Sequence, residues 1–150
     1  MIQLNHFAMK TSILIARLLL GLIFLVFGLN GFLHFIPMPL PSGVAGQFMG
    51  ALFVSRYLLV VASLQVLTAV LLLINRYVPL ALALLAPIIV NILLFHVLMA
   101  PSGIALAVIV TVLWSLVFVG VRSAFTGLFQ QRVQIEARPQ QRSTHVAQET

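Results

Sequence analysis

Long apolar runs, separated by short polar or proline-containing breaks, fill most of the chain between Thr11 and Val121. Four runs come close to or exceed the roughly 20 residues that a helix needs to cross the hydrocarbon core of a bilayer. They cover residues 11–36, 57–74, 78–99 and 104–121. Because the breaks between them are short, the pattern predicts an all-α polytopic membrane protein in which four transmembrane helices form an antiparallel bundle.

Two further segments fall outside these four runs. Residues 44–55 are mostly apolar but too short to span a bilayer, so they form an interfacial helix, a re-entrant helix or a long start to the second span. Residues 130–150 contain Gln, Arg and Ser with little apolar content, which is typical of a disordered tail. The predicted division is therefore a transmembrane domain at 1–129 and a disordered cytoplasmic tail at 130–150.

Composition supports lipid as the solvent of this chain. Of its 150 residues 62% are hydrophobic and 7% charged, and the mean hydropathy is +1.18. A water-soluble domain of this length cannot bury that much apolar surface. The chain has no cysteine, which excludes disulfides, thiolate metal sites and a thiol–disulfide relay on its own sulfur.

The basic residues predict an orientation. Seven of them fall on one side of the predicted spans: Lys10, Arg17, Arg76, Arg122, Arg132, Arg138 and Arg142. Only Arg56 falls on the other side. The positive-inside rule therefore predicts that both termini lie in the cytoplasm. It also explains the net charge of +6 through lipid headgroups, with no nucleic acid as partner.

Two stretches of the spans resemble each other and mark a candidate site. Asn30 and His34 precede a Pro-Ser-Gly sequence at 41–43, and Asn91 and His96 precede another at 101–103. Polar groups in hydrocarbon need partners and often mark functional sites. Gln65, on the second span, falls at a similar depth in the outer half of the predicted bundle. Asn30 and His34, four residues apart, would share a helical face. Asn91 and His96 are about 140° apart on an ideal helix and would not face one ligand together.

Each of these residue types has a structural and a functional interpretation. The amides either join helices by hydrogen bonds or bind a ligand. The histidines either lie in the headgroup region or contact a ligand, and a quinone fits them better than haem because imidazole can pass protons near neutrality. No set of metal ligands is predicted. Arg17 either reaches the headgroups, pairs with a ligand headgroup, or pairs with a helix C-terminus. No acidic residue lies in any span, which weakens a transporter interpretation.

Three motifs together resemble the DoxX family of small bacterial membrane proteins. Residues 16–32 read ARLLLGLIFLVFGLNGF, residues 48–50 read FMG, and residues 85–96 read LAPIIVNILLFH. The resemblance covers residues 12–128 and implies a four-helix domain in the bacterial inner membrane. Some family members are subunits of a thiosulfate:quinone oxidoreductase, and others are linked to membrane oxidoreductase assemblies or to resistance to oxidative stress. Many members carry an acidic residue where this chain has Gln65.

The resemblance therefore implies a membrane subunit or quinone-associated partner of a redox system, which does no chemistry alone. Its partners would be quinone or another small aromatic ligand, redox subunits, or further copies of the chain. The candidate ligand-binding residues are Asn30, His34, Gln65, Asn91, His96 and Arg17. Two alternatives remain open: a non-catalytic structural or assembly subunit, and a small-solute carrier or exporter.

Overall fold

A computed structural model describes the backbone of residues 2–129 and the side chains of residues 9–126. Within this range the chain is all-helical and contains no strand, as predicted. The α-helices are α1 Ile2–Leu33, α2 Gly43–Val54, α3 Tyr57–Leu73, α4 Val78–Leu98 and α5 Ile104–Val121, with 3-10 helices at Pro101–Gly103 and Arg122–Phe129. The predicted tail at 130–150 lies outside the described residues.

Three helical segments are long and apolar enough to cross a membrane, or four if the bent pair α2 and α3 is one span. The three are Met9–Leu33, Val78–Leu98 and Pro101–Thr126. Large apolar side chains are exposed on their outer faces, Leu19, Val90 and Ile109 among them. Such faces suit contact with lipid chains, and they indicate a membrane protein.

The helix α2 is separate from α3, because the two meet at a bend of 82°. The bend occurs at Ser55 and Arg56, where Arg56 adopts a left-handed backbone conformation with φ 58°. Residues 44–55 therefore do not form a straight start to the second span. With 17 residues, α3 alone is about 26 Å long, slightly less than the hydrocarbon thickness of about 30 Å.

Close contact between α1 and α3 depends on two glycines. A Cβ atom built on Gly31 would lie 2.6 Å from the Cβ of Ala62, and one built on Gly28 would lie 3.0 Å from the backbone nitrogen of Val66. As residue numbers rise along α1, the numbers of the contacting residues fall along α3, so this pair of helices runs in opposite directions. Small residues permit such an approach in lipid, where packing drives helix association.

The core lies between four of the helices. α1 packs against α3 and α5, and α4 packs against the same two helices. Fully buried side chains come from all four: Leu20, Leu72, Leu82, Leu85 and Val117. α4 continues as a single helix through Pro87, and α2 lies at the end of this core where α1 and α4 finish.

Candidate functional site

Asn30 forms hydrogen bonds to the backbone of the loop that follows α1. Its side chain is only 2% exposed. The amide Oδ1 accepts a hydrogen bond from the Ile36 backbone N–H at 2.6 Å, and its Nδ2 donates to the Ile36 carbonyl at 3.3 Å. Both halves of the amide are therefore used within the chain, which is how a buried carboxamide avoids its desolvation cost.

His34 belongs to the turn and not to the helix. α1 ends at Leu33, and His34 follows with a left-handed φ of 53°. Its backbone N–H donates to the Asn30 carbonyl at 2.9 Å, the hydrogen bond of an αL helix end. The expectation that Asn30 and His34 share one helical face is therefore wrong. The His34 side chain is exposed and meets Phe53 of α2 edge-on, with ring centroids 6.3 Å apart.

His96 contacts the backbone of the turn after α4, as Asn30 contacts the backbone of the loop after α1. Its Nδ1 lies 2.8 Å from the carbonyl oxygen of Ala100, in the turn after the helix. A carbonyl only accepts, so Nδ1 carries the proton and, in the neutral ring, Nε2 has the free lone pair. The ring also covers Gly103, because a Cβ atom built there would overlap its Cε1. The two similar sequences thus each place one side chain on the backbone of the loop that follows.

Side chains of the short helix α2 contact residues at the ends of both α1 and α4. Phe53 contacts His34, and Phe48 lies 5.9 Å from Phe95, whose ring meets that of His96 at 5.2 Å. The two histidines are therefore at the same end of the molecule, each beside an aromatic side chain of α2 or α4. We call Phe48, Phe95 and His96 the aromatic cluster.

Gln65 and Asn91 behave differently from Asn30. Gln65 is half-buried on α3 opposite Gly28, since its Cβ lies 3.1 Å from a Cβ built on that glycine. Asn91 is exposed on α4. Among the residues whose side chains the structure describes (9–126), neither carboxamide has a hydrogen-bond partner. Asn30 and Gln65 therefore lie at the same level on neighbouring helices, whereas Asn91 is on an outer face.

Arg17 is buried, at 9% exposed, and acts at the opposite end of α3 from Arg56. Its Nη1 donates to the carbonyl of Leu72 in the last turn of α3. The end of α3 is a Schellman turn, in which Asn75 has a φ of 57°, its N–H donates to Leu72 at 3.2 Å, and the Arg76 N–H donates to Leu71 at 3.0 Å. Residues 2–129 include no acidic side chain, and within them the partial negative charge of this helix end faces the guanidinium.

Trp114 makes a polar contact between helices that its place in an apolar run does not reveal. Its Nε1–H donates to the Leu82 carbonyl at 3.0 Å, joining α5 to α4. Leu82 is next to Ala83, whose carbonyl Pro87 leaves without its usual helical donor. A part-buried indole N–H needs an acceptor, and Pro87 marks the part of α4 where a carbonyl lacks its helical donor. These two residues indicate this stretch of α4, but not Leu82 itself, as the acceptor.

The six predicted site residues thus fall into separate groups. Arg17 is at one end of α3, Asn30 and Gln65 lie between α1 and α3, the histidines are at the α2 end, and Asn91 faces outward. In the described part of the chain, no group of three or more His, Cys, Asp or Glu side chains is arranged to hold a metal ion. No known family model, no curated protein and no solved structure matches this chain.

Proposed function

We propose that this chain is a four-span membrane protein of the DoxX type that serves as a non-catalytic membrane subunit. One observation carries the proposal: three of the polar side chains in or next to the spans hydrogen-bond to backbone of the same chain. Arg17 binds the end of α3, Asn30 binds the loop after α1, and His96 binds the turn after α4. These bonds hold helix ends and loops in place. Side chains that bond to backbone in this way have fewer groups free to bind a ligand or to take part in catalysis.

The proposal includes an arrangement in the bacterial inner membrane. Four antiparallel spans, with α2 at the outer surface and both termini in the cytoplasm, agree with the charge distribution described above. Two contacts support it: α1 meets α3 in opposite directions, and Gly120 near the end of α5 lies against Ile13 near the start of the first span. Lys10, Arg76 and Arg122 would then lie at the cytoplasmic surface, and Arg56 outside.

The test compares stability with cofactor content in the purified full-length protein. Asn30→Ala and His96→Ala each remove a bond to loop backbone, so each should lower the free energy of unfolding by about 1–3 kcal/mol. Ser115→Ala is the matched control, because the exposed Ser115 hydroxyl bonds only to the Thr111 carbonyl of its own helix. It should leave the stability unchanged within about 0.5 kcal/mol.

Cofactor content decides the outcome. Mass spectrometry and absorption spectra should find no haem, flavin or quinone at one equivalent per chain. A stoichiometric chromophore that is present in the parent protein and lost in His96→Ala, but not in Ser115→Ala, would overturn the proposal.

A second candidate function is association with a quinone, and the aromatic cluster favours it. With Nδ1–H directed to the Ala100 carbonyl, Nε2 of a neutral His96 can accept a hydrogen bond from a quinol hydroxyl. Phe48 and Phe95 provide apolar rings next to it. A soluble quinone analogue should then raise the melting temperature of the parent and of Ser115→Ala, but not of His96→Phe. Equal shifts in all three would exclude the aromatic cluster as the binding site.

A further inference from the structure

The carboxamide of Asn91 stands apart from the other polar groups on the outer faces of the helices. Two exposed hydroxyls, those of Ser63 and Ser115, donate to carbonyls of their own helices at 2.7 and 2.8 Å. Asn91 is also exposed, but its amide bonds to no group in the range with described side chains, residues 9–126. A carboxamide has two donor hydrogens and an oxygen acceptor, and all are unused here.

The position of Asn91 along α4 keeps water away from it. α4 runs from Val78 to Leu98, so Asn91 is about 20 Å from one end of the helix and about 10 Å from the other at helical rise. In a hydrocarbon core of about 30 Å, this depth is within the acyl chains, which offer no hydrogen bond. A polar group held there without a partner is unfavourable, and a protein partner relieves it.

The surface around Asn91 allows another helix to come close. Ala83 and Pro87 lie eight and four residues before Asn91, on the same stripe of α4, and both are exposed. Larger exposed side chains border this stripe: Leu80, Val90 and Leu94. A row of short side chains between longer ones is the shape that lets two membrane helices approach. The amide is thus at the end of a shallow groove.

We propose that the outer face of α4 binds the same face of a second copy of this chain, with the two Asn91 side chains hydrogen-bonded to each other. A carboxamide is complementary to itself, since the NH₂ of each copy can donate to the oxygen of the other. A two-fold axis along the membrane normal brings both amides to the same depth. The symmetry of such a dimer therefore places a hydrogen-bond partner for each Asn91 amide at the same depth in the membrane.

The absence of native cysteine permits a direct test in membranes. Leu94→Cys places a thiol on the proposed interface one turn from Asn91, and Leu67→Cys places one on the exposed face of α3 as the matched control. Under mild oxidation, Leu94→Cys should give a disulfide-linked dimer and Leu67→Cys should not, because a disulfide requires Cα atoms within about 7 Å. The pair is then repeated with Asn91→Leu added.

Association is also measured without cross-linking, by energy transfer between labelled copies in liposomes over a range of protein-to-lipid ratios. Asn91→Leu should raise the dimer dissociation constant roughly tenfold, as expected for losing one or two interhelical hydrogen bonds. Ser63→Ala, which removes an exposed hydroxyl already bonded to its own helix, should change it less than about twofold. Emission of the single Trp114 and circular dichroism check that Asn91→Leu remains folded.

Three results would overturn the proposal. They are equal cross-linking of Leu94→Cys and Leu67→Cys, dimers that are indifferent to Asn91→Leu, and a monomer at every protein-to-lipid ratio. The proposal is independent of the non-catalytic role, since a copurifying cofactor would refute that role and leave the dimer intact.

Discussion

The close approach of α1 and α3 makes a sharp prediction about two glycines that differ only in their surroundings. Gly31→Ala places a methyl group 2.6 Å from the Ala62 Cβ, about 1 Å inside the ordinary contact distance of carbon atoms. Gly50→Ala, in α2, places it where no atom lies within 4 Å. Both glycines are helical, so both variants gain about 1 kcal/mol from the higher helix propensity of alanine.

The difference between the two variants therefore isolates the cost of packing. Neither methyl at the Gly31 contact can rotate away, because each is attached directly to a helix backbone, so α1 and α3 have to separate. Overpacking of this kind costs about 1–3 kcal/mol. We expect Gly31→Ala to be less stable than Gly50→Ala by that amount.

The measurement is reversible unfolding in mixed micelles, followed by circular dichroism and by emission of Trp114, the chain's only tryptophan. A swapped variant, Gly31→Ala with Ala62→Gly, moves the methyl from one helix to the other and should recover most of the lost stability. If Gly31→Ala proves as stable as Gly50→Ala, or if the swap recovers nothing, the contact between α1 and α3 is not as close as described.

Three further contacts lead to shorter predictions, measured by the same unfolding. Arg17→Met removes a charged donor from the end of α3 and should lower the unfolding free energy by about 1–3 kcal/mol, whereas Arg17→Lys, which keeps the charge, should lose less. Gly103→Ala should destabilise the protein by displacing the His96 ring, and should cost at least about 1 kcal/mol less in a His96→Ala background; additive effects would refute this contact. Trp114→Phe keeps the ring but not the N–H, and should cost about 1 kcal/mol; an unchanged stability would mean that the bond to α4 contributes nothing.

Hydropathy predicted the apolar helices well. It did not predict the bounds of a helix that begins in a polar segment or ends before its apolar run does. The bounds of α5 follow from a mostly apolar, uncharged run that begins after Gly103 and stops at Arg122. α1 extends back to Ile2 although Gln3 and Asn5 interrupt the apolar pattern. A helix needs backbone hydrogen bonds and no particular hydropathy, so polar residues before a span can continue it.

The candidate site was harder to predict because its partners are backbone groups. Asn30 and His96 were identified from residue type and position, yet the sequence offers no sign that Ile36 and Ala100 are their partners. The position of the helix end determines where His34 lies. Because α1 ends at Leu33 and His34 has a left-handed backbone, His34 does not lie on the helical face of Asn30. The amide of Asn91 could be placed on α4 from the sequence, but only packing shows which face of α4 is outside.

The bond between Arg17 and Leu72 joins residues 55 positions apart, which sets an order for assembly during synthesis. When α1 enters the bilayer, the helix end that receives the Arg17 guanidinium has not yet been made. Until then we expect that charge to stay near the headgroups, which would hold α1 displaced toward its N-terminal end. The arrival of α3 would release it and let Gly28 and Gly31 come into register. We therefore expect α1 and α3 to be the first two helices to associate, since the partner of Arg17 is present as soon as α3 is.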